Sequence, residues 1–271
     1  DSCLVGSEMC IRDSINIINK SLQLSLNIAN DWCKTNSMVI HPDKTKCMVI
    51  STRQKHQISH PKLDLFIGTT LVQQVNNHKL LGIHIDSELN WQAHIKNLTK
   101  RLSKNIFLLS KLKPYVNADC LKLFFNANIL SHINYSSTIW DGCCKDTLKK
   151  VDRLYRRSVK ILSTTKNITT DEKMKLLNIL PLKKHLNYNK AQIVYKIYND
   201  KTPSYLKKII RKAPDRYNST NILPALPRID LFKTSLAFSG AEVWNSLPPD
   251  IHKIKSLYSF KNNVHNHFLN D

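Results

Sequence analysis

Glycine is scarce: five residues in a chain of 271. That scarcity excludes collagen-like and glycine-rich low-complexity classes and leaves few positions for a phosphate-cradling loop. Neither GxGxxG nor GxxxxGK[ST] occurs. Acidic residues are also few, 20 Asp and Glu against 41 Lys and Arg, which leaves a net charge of +21. No uncharged apolar run approaches the ~18–20 residues of a membrane-spanning helix, and the N-terminus lacks the basic-then-apolar layout of a secretory signal. A soluble, intracellular protein in nucleus or cytoplasm is expected, with no membrane partner.

Catalytic signatures are missing as well. A polymerase needs paired carboxylates holding two divalent ions about 3.5–4 Å apart, yet the chain has no Asp-Asp dipeptide. GxSxG and HExxH are absent too. The seven cysteines fall at 3, 10, 33, 47, 120, 143 and 144 without a CxxC pair, so reduced thiols are expected. Cys33, Cys47, His56 and His60 are the one suggestive set, since His56 and His60 have zinc-finger spacing. Thirteen residues separate the two cysteines, however, where a finger needs a tight turn, and no metal site is expected.

What is abundant is positive charge, and it is concentrated. Residues 91–165 hold 14 Lys and Arg against 4 Asp and Glu, and residues 166–212 hold 12 against 3, so 19 of the 21 excess charges lie there. Clustering of this kind builds the local field that a phosphate backbone meets. With 42% apolar residues the chain also has the means to build a core.

Hydrophobic periodicity organises the rest. Ile15, Ile18, Leu22, Leu26, Ala29 and Cys33 predict a helix over 15–36, with Asp13 or Ser14 as N-cap. Met38–Ile40 and Cys47–Ile50 are expected to form a hairpin around His41-Pro42-Asp43-Lys44-Thr45, and Leu63–Ile67 with Leu71–Val75 a second one around Gly68-Thr69-Thr70. Leu81, Ile83 and Ile85 alternate as in a half-buried strand. Three amphipathic helices follow. The first is capped by Ser87 and carried by Trp91, Ile95, Leu98, Leu102, Leu109 and Leu112; the others cover about 118–140 and 146–163. With short connections they predict an antiparallel bundle. Residues 170–212 read as helical, residues 213–227 as a proline-bearing linker, and Leu257, Phe260, Val264 and Phe268 as a last helix.

Within the third helix, Lys149, Lys150, Arg153, Arg156, Arg157 and Lys160 lie away from Leu148, Val151 and Tyr155. This cationic ridge is the candidate nucleic-acid-binding surface, through backbone rather than base contacts. Arg153→Glu, Arg156→Glu and Arg157→Glu together are expected to weaken binding. A helix-turn-helix regulator would need base-reading Asn, Gln or Arg at the start of its recognition helix, and residues 146–152 offer little of that.

The order Asp31-Trp32-Cys33, His41-Pro42-Asp43-Lys44-Thr45-Lys46-Cys47-Met48-Val49-Ile50, His78-Lys79-Leu80-Leu81-Gly82-Ile83-His84-Ile85-Asp86, then Leu89-Asn90-Trp91 and His94, resembles LINE-type, non-LTR retrotransposon reverse transcriptases. Tyr198-Asn199-Asp200-Lys201-Thr202-Pro203 and Val243-Trp244-Asn245-Ser246-Leu247-Pro248 resemble the C-terminal extension of such elements. The resemblance covers roughly 15–270 and starts after the family's catalytic Asp-Asp strand. It implies an α+β chain: a small antiparallel palm remnant with β-hairpins over 15–90, a helical thumb bundle over 91–165, and a mostly helical extension over 166–271.

By that resemblance Lys44 matches a lysine beside the incoming nucleotide, an accessory catalytic candidate that would donate a proton to departing pyrophosphate. Leu81, Gly82 and Ile83 would belong to the primer grip, a hairpin positioning the growing 3′ end. The thumb would contact sugar and phosphate of an RNA template paired with a DNA primer, or of a hybrid duplex. Magnesium belongs to the full-length polymerase; this chain is expected to bind no cofactor and to be inactive alone. The alternative is a non-enzymatic RNA- or DNA-binding remnant. Residues 1–14, whose Cys3–Ser14 string looks like translated sequencing-adapter read-through, are expected to be a non-native or disordered leader.

Overall fold

The structure is a computed structural model that describes residues 15–52, 62–165, 167–213, 220–227 and 230–271. The chain is mixed helix and short-stranded sheet, and it divides into two compact units, with Ala93 closing the first and His94 opening the second. The expected leader 1–14, the caps Asp13 and Ser14, and His56 and His60 lie outside the described residues.

In the first unit, α1 (Ile15–Thr35) contains neither Gly nor Pro and presents Ile18, Leu22 and Leu26 to a small core of Leu63, Leu65, Ile67 and Val72. Its end is a Schellman turn: Ser37 sits at φ +57°, its amide bonds Lys34 O at 3.0 Å, and the Met38 amide reaches Cys33 O at 2.8 Å. Gln23 then acts like a neighbouring strand. Its Oε1 accepts from the Phe66 amide at 2.8 Å and its Nε2 donates to Phe66 O at 2.9 Å. The backbone groups of this edge residue are thereby satisfied by a side-chain amide instead of a ladder.

The expected Met38–Ile40/Cys47–Ile50 hairpin does not form. Pro42–Lys44 is a 3-10 turn, Val39 is 91% exposed, and β1 (Lys46–Cys47) pairs in parallel with Gln73–Gln74. Pro42 lacks an amide for a ladder, and an exposed apolar strand finds no face to bury. The second expected hairpin is present. β2 (Phe66–Ile67) pairs antiparallel with β3 (Thr70–Leu71) across Gly68-Thr69, where Gly68 takes the left-handed φ of +61° that a two-residue turn demands.

After β4 (Gln73–Gln74), β5 (Asn77–Leu80) and β6 (Ile83–Asp86) form a second two-residue hairpin. Leu81 (φ +46°) and Gly82 (φ +88°) are its turn. Leu81 is therefore not a strand residue: it is 83% exposed, whereas Ile83 is buried. Ser87 is not a helix cap either. The Asp86 carboxylate accepts from the amides of Asn90 (2.9 Å) and Trp91 (2.8 Å), and Asn90 Oδ1 takes the Gln92 amide at 3.0 Å. This clasp holds Leu89 and Trp91 at positive φ just before α2 (Gln92–Leu112).

In the second unit, α2 buries Ile95, Leu98, Leu102, Ile106 and Leu109, one per turn or so as its amphipathic stripe requires. The helix expected over 118–140 is broken. α3 (Ala118–Phe125) runs through a π turn (Asn126–Leu130) into α4 (Ser131–Asn134), and α5 (Ser137–Trp140) restarts after Ser136 at φ +48°. The π turn shifts the stripe, and the fully buried Trp140 locks the break by donating Nε1–H to Tyr135 O at 3.1 Å. α6 (Lys145–Leu162) packs Tyr155 on Phe125, rings 5.9 Å apart.

Beyond a capping box at Thr169 and Glu172, α7 (Thr170–Leu176) leads to α8 (Leu182–Tyr198). A 3-10 segment (Ser204–Ile209) and β7 (Arg211–Lys212) follow, so the tail of the expected helical stretch is a strand. Its partner β8 (Ile222–Leu223) lies inside the expected linker, where Ile222 is core and Asn245 clamps its amide and carbonyl at 2.9 and 2.8 Å. Residues 214–219 lie outside the described residues. After a short α9 (Asp230–Lys233), α10 (Leu236–Asn245) and, past the one-turn α11 (Pro249–His252), α12 (Leu257–Asn270) close on α8 around Tyr195, Trp244 and Phe260. Among the described residues, no helix is long and apolar enough to cross a membrane.

Candidate nucleic-acid interface

Seven of the eighteen residues of α6 are basic and two are acidic, Asp146 and Asp152. Thr147, Val151, Tyr155, Ser158, Val159 and Leu162 form its buried stripe. At 3.6 residues per turn, the seven cations fall on the opposite arc. Lys145, which is not among the six ridge residues expected from the sequence, is exposed at the N-terminal end of this arc, one turn before Lys149.

The ridge residues are not equivalent. Lys149 Nζ pairs with Asp146 at 2.9 Å. Arg156 binds two carboxylates, Asp152 on its own helix and Asp171 on α7, each at 3.0 Å. It ties two helices together, so Arg156→Glu would set like charges against each other and disturb the fold as well as the surface. Lys150, Arg153, Arg157 and Lys160 are exposed and form no ion pair among the described residues. These four carry the available charge. Nearby lysines are used structurally: Lys113 donates to Ser163 O at the end of α6, and Lys122 to Leu177 O at the end of α7, both at 3.1 Å.

Three aspartates that follow the first hairpins and helices are each committed to a structural contact. Asp86 clasps its turn, Asp152 holds Arg156, and Asp141 pairs with Lys190 at 2.7 Å, both nearly sealed from solvent. Among the described residues, no group of three or more His, Cys, Asp or Glu could hold a metal ion. Cys33, Cys47, Cys120, Cys143 and Cys144 are free thiols. Burial pushes the Cys143 thiol up to about 12, while the Thr147 hydroxyl beside the exposed Cys144 lowers that thiol. In the first unit Lys44 is exposed on its 3-10 turn. Leu81 and Gly82 project at the hairpin tip and Ile83 is buried beneath it.

The seam that supports α5 against α8 is polar. Asn134 Oδ1 accepts from Asn189 at 3.0 Å and lies 2.6 Å from His185 Nε2, so His185 carries its proton there. Burial first, and His265 second, lower the His185 imidazole to about 4 from an ordinary 6.5. A depressed folded-state value means stability is complete above 6.5 and is lost as pH falls toward 4. The span corresponds to ~3 kcal/mol. Urea unfolding at pH 7 and 4.5 should show this loss, and His185→Gln should flatten it.

Comparison with known proteins finds no matching family model, no matching curated protein and no matching solved structure.

Proposed function

We propose that this chain grips a template–primer duplex, as the C-terminal part of an RNA-directed DNA polymerase of the LINE-type, non-LTR kind. The α6 ridge would contact sugar and phosphate. One observation carries the reading: four exposed cations, free of ion pairs among the described residues, share the arc of α6 opposite its buried stripe. A surface that tracks a backbone needs charge at helical spacing and no base-reading code, and this surface has that form. The resemblance of residues 15–50 and 78–90 to the end of a palm supports the polymerase assignment; without an Asp-Asp pair the chain alone would not catalyse.

Binding of a labelled RNA–DNA hybrid across a salt series tests this. Four neutralised phosphates imply a log–log slope near −3.6, about a 10²-fold loss between 50 and 200 mM salt. Lys150→Glu, Arg153→Glu, Arg157→Glu and Lys160→Glu combined should remove most of that slope while leaving the thermal unfolding midpoint in place. A salt-independent affinity in the parent chain would refute the grip. Extension of a primed RNA template by the purified chain with magnesium and nucleotides would refute the lack of catalysis.

A further inference from the structure

A second basic surface lies in the C-terminal part of the same unit, apart from the α6 ridge in sequence. Residues 200–212 hold Lys201, Lys207, Lys208, Arg211 and Lys212 against the single acid Asp200. Three of the five cations are occupied. Lys207 pairs with Asp200 at 3.0 Å, Lys201 lies 5.2 Å from the Tyr195 ring centre, and Lys212 lies 4.4 Å from that of Tyr198. Lys208 and Arg211 are exposed and form no ion pair among the described residues.

The 3-10 spacing puts Lys208 on the same edge as an exposed aromatic ring, and Arg211 follows on the adjoining strand. In the 3-10 segment Ser204–Ile209, side chains three apart eclipse one another. Leu206 and Ile209 share one edge and pack on the core of Tyr195 and Trp244. Tyr205 and Lys208 share another, and Tyr205 is 59% exposed. In the β7–β8 hairpin, Ile222 is buried and its partner Lys212 covers Tyr198, while Arg211 pairs in register with Leu223, which is exposed. Both elements cover the same apolar cluster, so Tyr205, Lys208 and Arg211 are turned away from it.

We infer that Tyr205, Lys208 and Arg211 form a binding site for single-stranded nucleic acid, with the tyrosine ring stacking on an unpaired base and the two cations meeting flanking phosphates. A paired duplex hides its base faces from a projecting ring. An exposed aromatic followed by uncompensated cations therefore fits an unpaired strand better than a helix. The site goes beyond duplex gripping and does not depend on it.

The test is fluorescence anisotropy of the full chain with labelled oligo(U). Tyr205→Ala should weaken binding roughly 5- to 150-fold, and Tyr205→Phe, which keeps the π face, should restore it. Lys208→Glu with Arg211→Glu should weaken it and reduce its salt slope. None of these variants should change affinity for the RNA–DNA hybrid, and the α6 reversal should spare oligo(U). Their circular dichroism melts should match the parent, since all three side chains are exposed. Equal oligo(U) affinity in parent, Tyr205→Ala and Tyr205→Phe overturns the inference, as does oligo(U) binding abolished by the α6 reversal alone. Either result leaves the duplex reading intact, which fails only on the hybrid probe.

Discussion

Lys190→Met is expected to destabilise the second unit by about 3–5 kcal/mol at pH 7, because it strands a buried carboxylate. Lys190 comes from the middle of α8 and meets Asp141, just past α5, at 2.7 Å, with side-chain exposures of 10% and 4%. The ammonium bonds Asp141 Oδ2, while the buried Oδ1 has no hydrogen-bond partner, so Lys190 is the main compensation of the carboxylate. Burial pushes the Asp141 carboxyl above its ordinary range even against the pull of Lys190. Removing the ammonium removes that pull and raises it further.

The sign of the pH effect follows. A carboxyl whose folded value is raised stabilises the fold below its unfolded value, and that contribution is lost as pH rises through the folded value. The deficit of Lys190→Met relative to the parent should therefore shrink as the medium is acidified from pH 7 to 5. His185 acts in the opposite direction in both proteins, so the difference between them isolates Asp141. Lys190→Met combined with Asp141→Leu should recover most of the loss, since a well-packed apolar pair often matches a buried ion pair. Urea unfolding of the three proteins at both pH values decides it. A deficit below about 1 kcal/mol at pH 7 would mean that water reaches Asp141 and that the pair does not hold α5 to α8.

That pair also shows where sequence reading stops. Helices α2, α6 and α12 were legible because each carries a buried stripe at three- and four-residue steps, such as Ile95, Leu98 and Leu102. Gly68 marked its hairpin for the same local reason. Non-local choices were not legible. Cys47 finds a parallel partner at Gln74 rather than the adjacent Met38–Ile40 run, and Ile222 finds Asn245. Leu81 has the chemistry of a strand residue, yet it is forced into the turn beside Gly82. Lys190 sits in a polar stretch, Lys183 to Lys190, that gives no hint that one lysine turns inward.

The candidate interface was legible as charge but not as available charge. The ridge on α6 follows from its composition, and the Asp152–Arg156 pair from i,i+4 spacing. Asp171, which neutralises Arg156 from α7, becomes relevant only once the two helices pack. The arc of four free cations is thus a tertiary property of a pattern that the sequence shows only as seven.

Trp244→Ala should be the most damaging single truncation in the C-terminal core, at about 5 kcal/mol. Trp244 is fully buried, and its ring stacks on His252 at 4.4 Å and Tyr198 at 5.0 Å, with Phe260 at 6.0 Å. Truncating a buried tryptophan costs about 3–5 kcal/mol in lost contact and cavity. Its Nε1–H also donates to Thr220 O at 2.9 Å, and stranding that carbonyl adds about 1–3 kcal/mol. His252 couples the same groups. Its Nε2 donates to Trp244 O at 2.8 Å and its Nδ1 accepts from the Thr220 hydroxyl at 2.7 Å, the arrangement of a neutral ring. Burial lowers its pKa in agreement. Trp244→Phe keeps one ring in the stack but loses the N–H and the volume of the fused ring, so it should cost about 2–4 kcal/mol, less than Trp244→Ala. Because Ile222 and Arg211 hang on this core through the β7–β8 hairpin, Trp244→Ala should also weaken oligo(U) binding, whereas Trp244→Phe should not. Guanidinium unfolding monitored in the near ultraviolet, read beside oligo(U) anisotropy, separates the two variants. Similar stability losses in both would assign the effect to the fused ring and its Thr220 hydrogen bond, and leave the remaining ring of the stack without an energetic role.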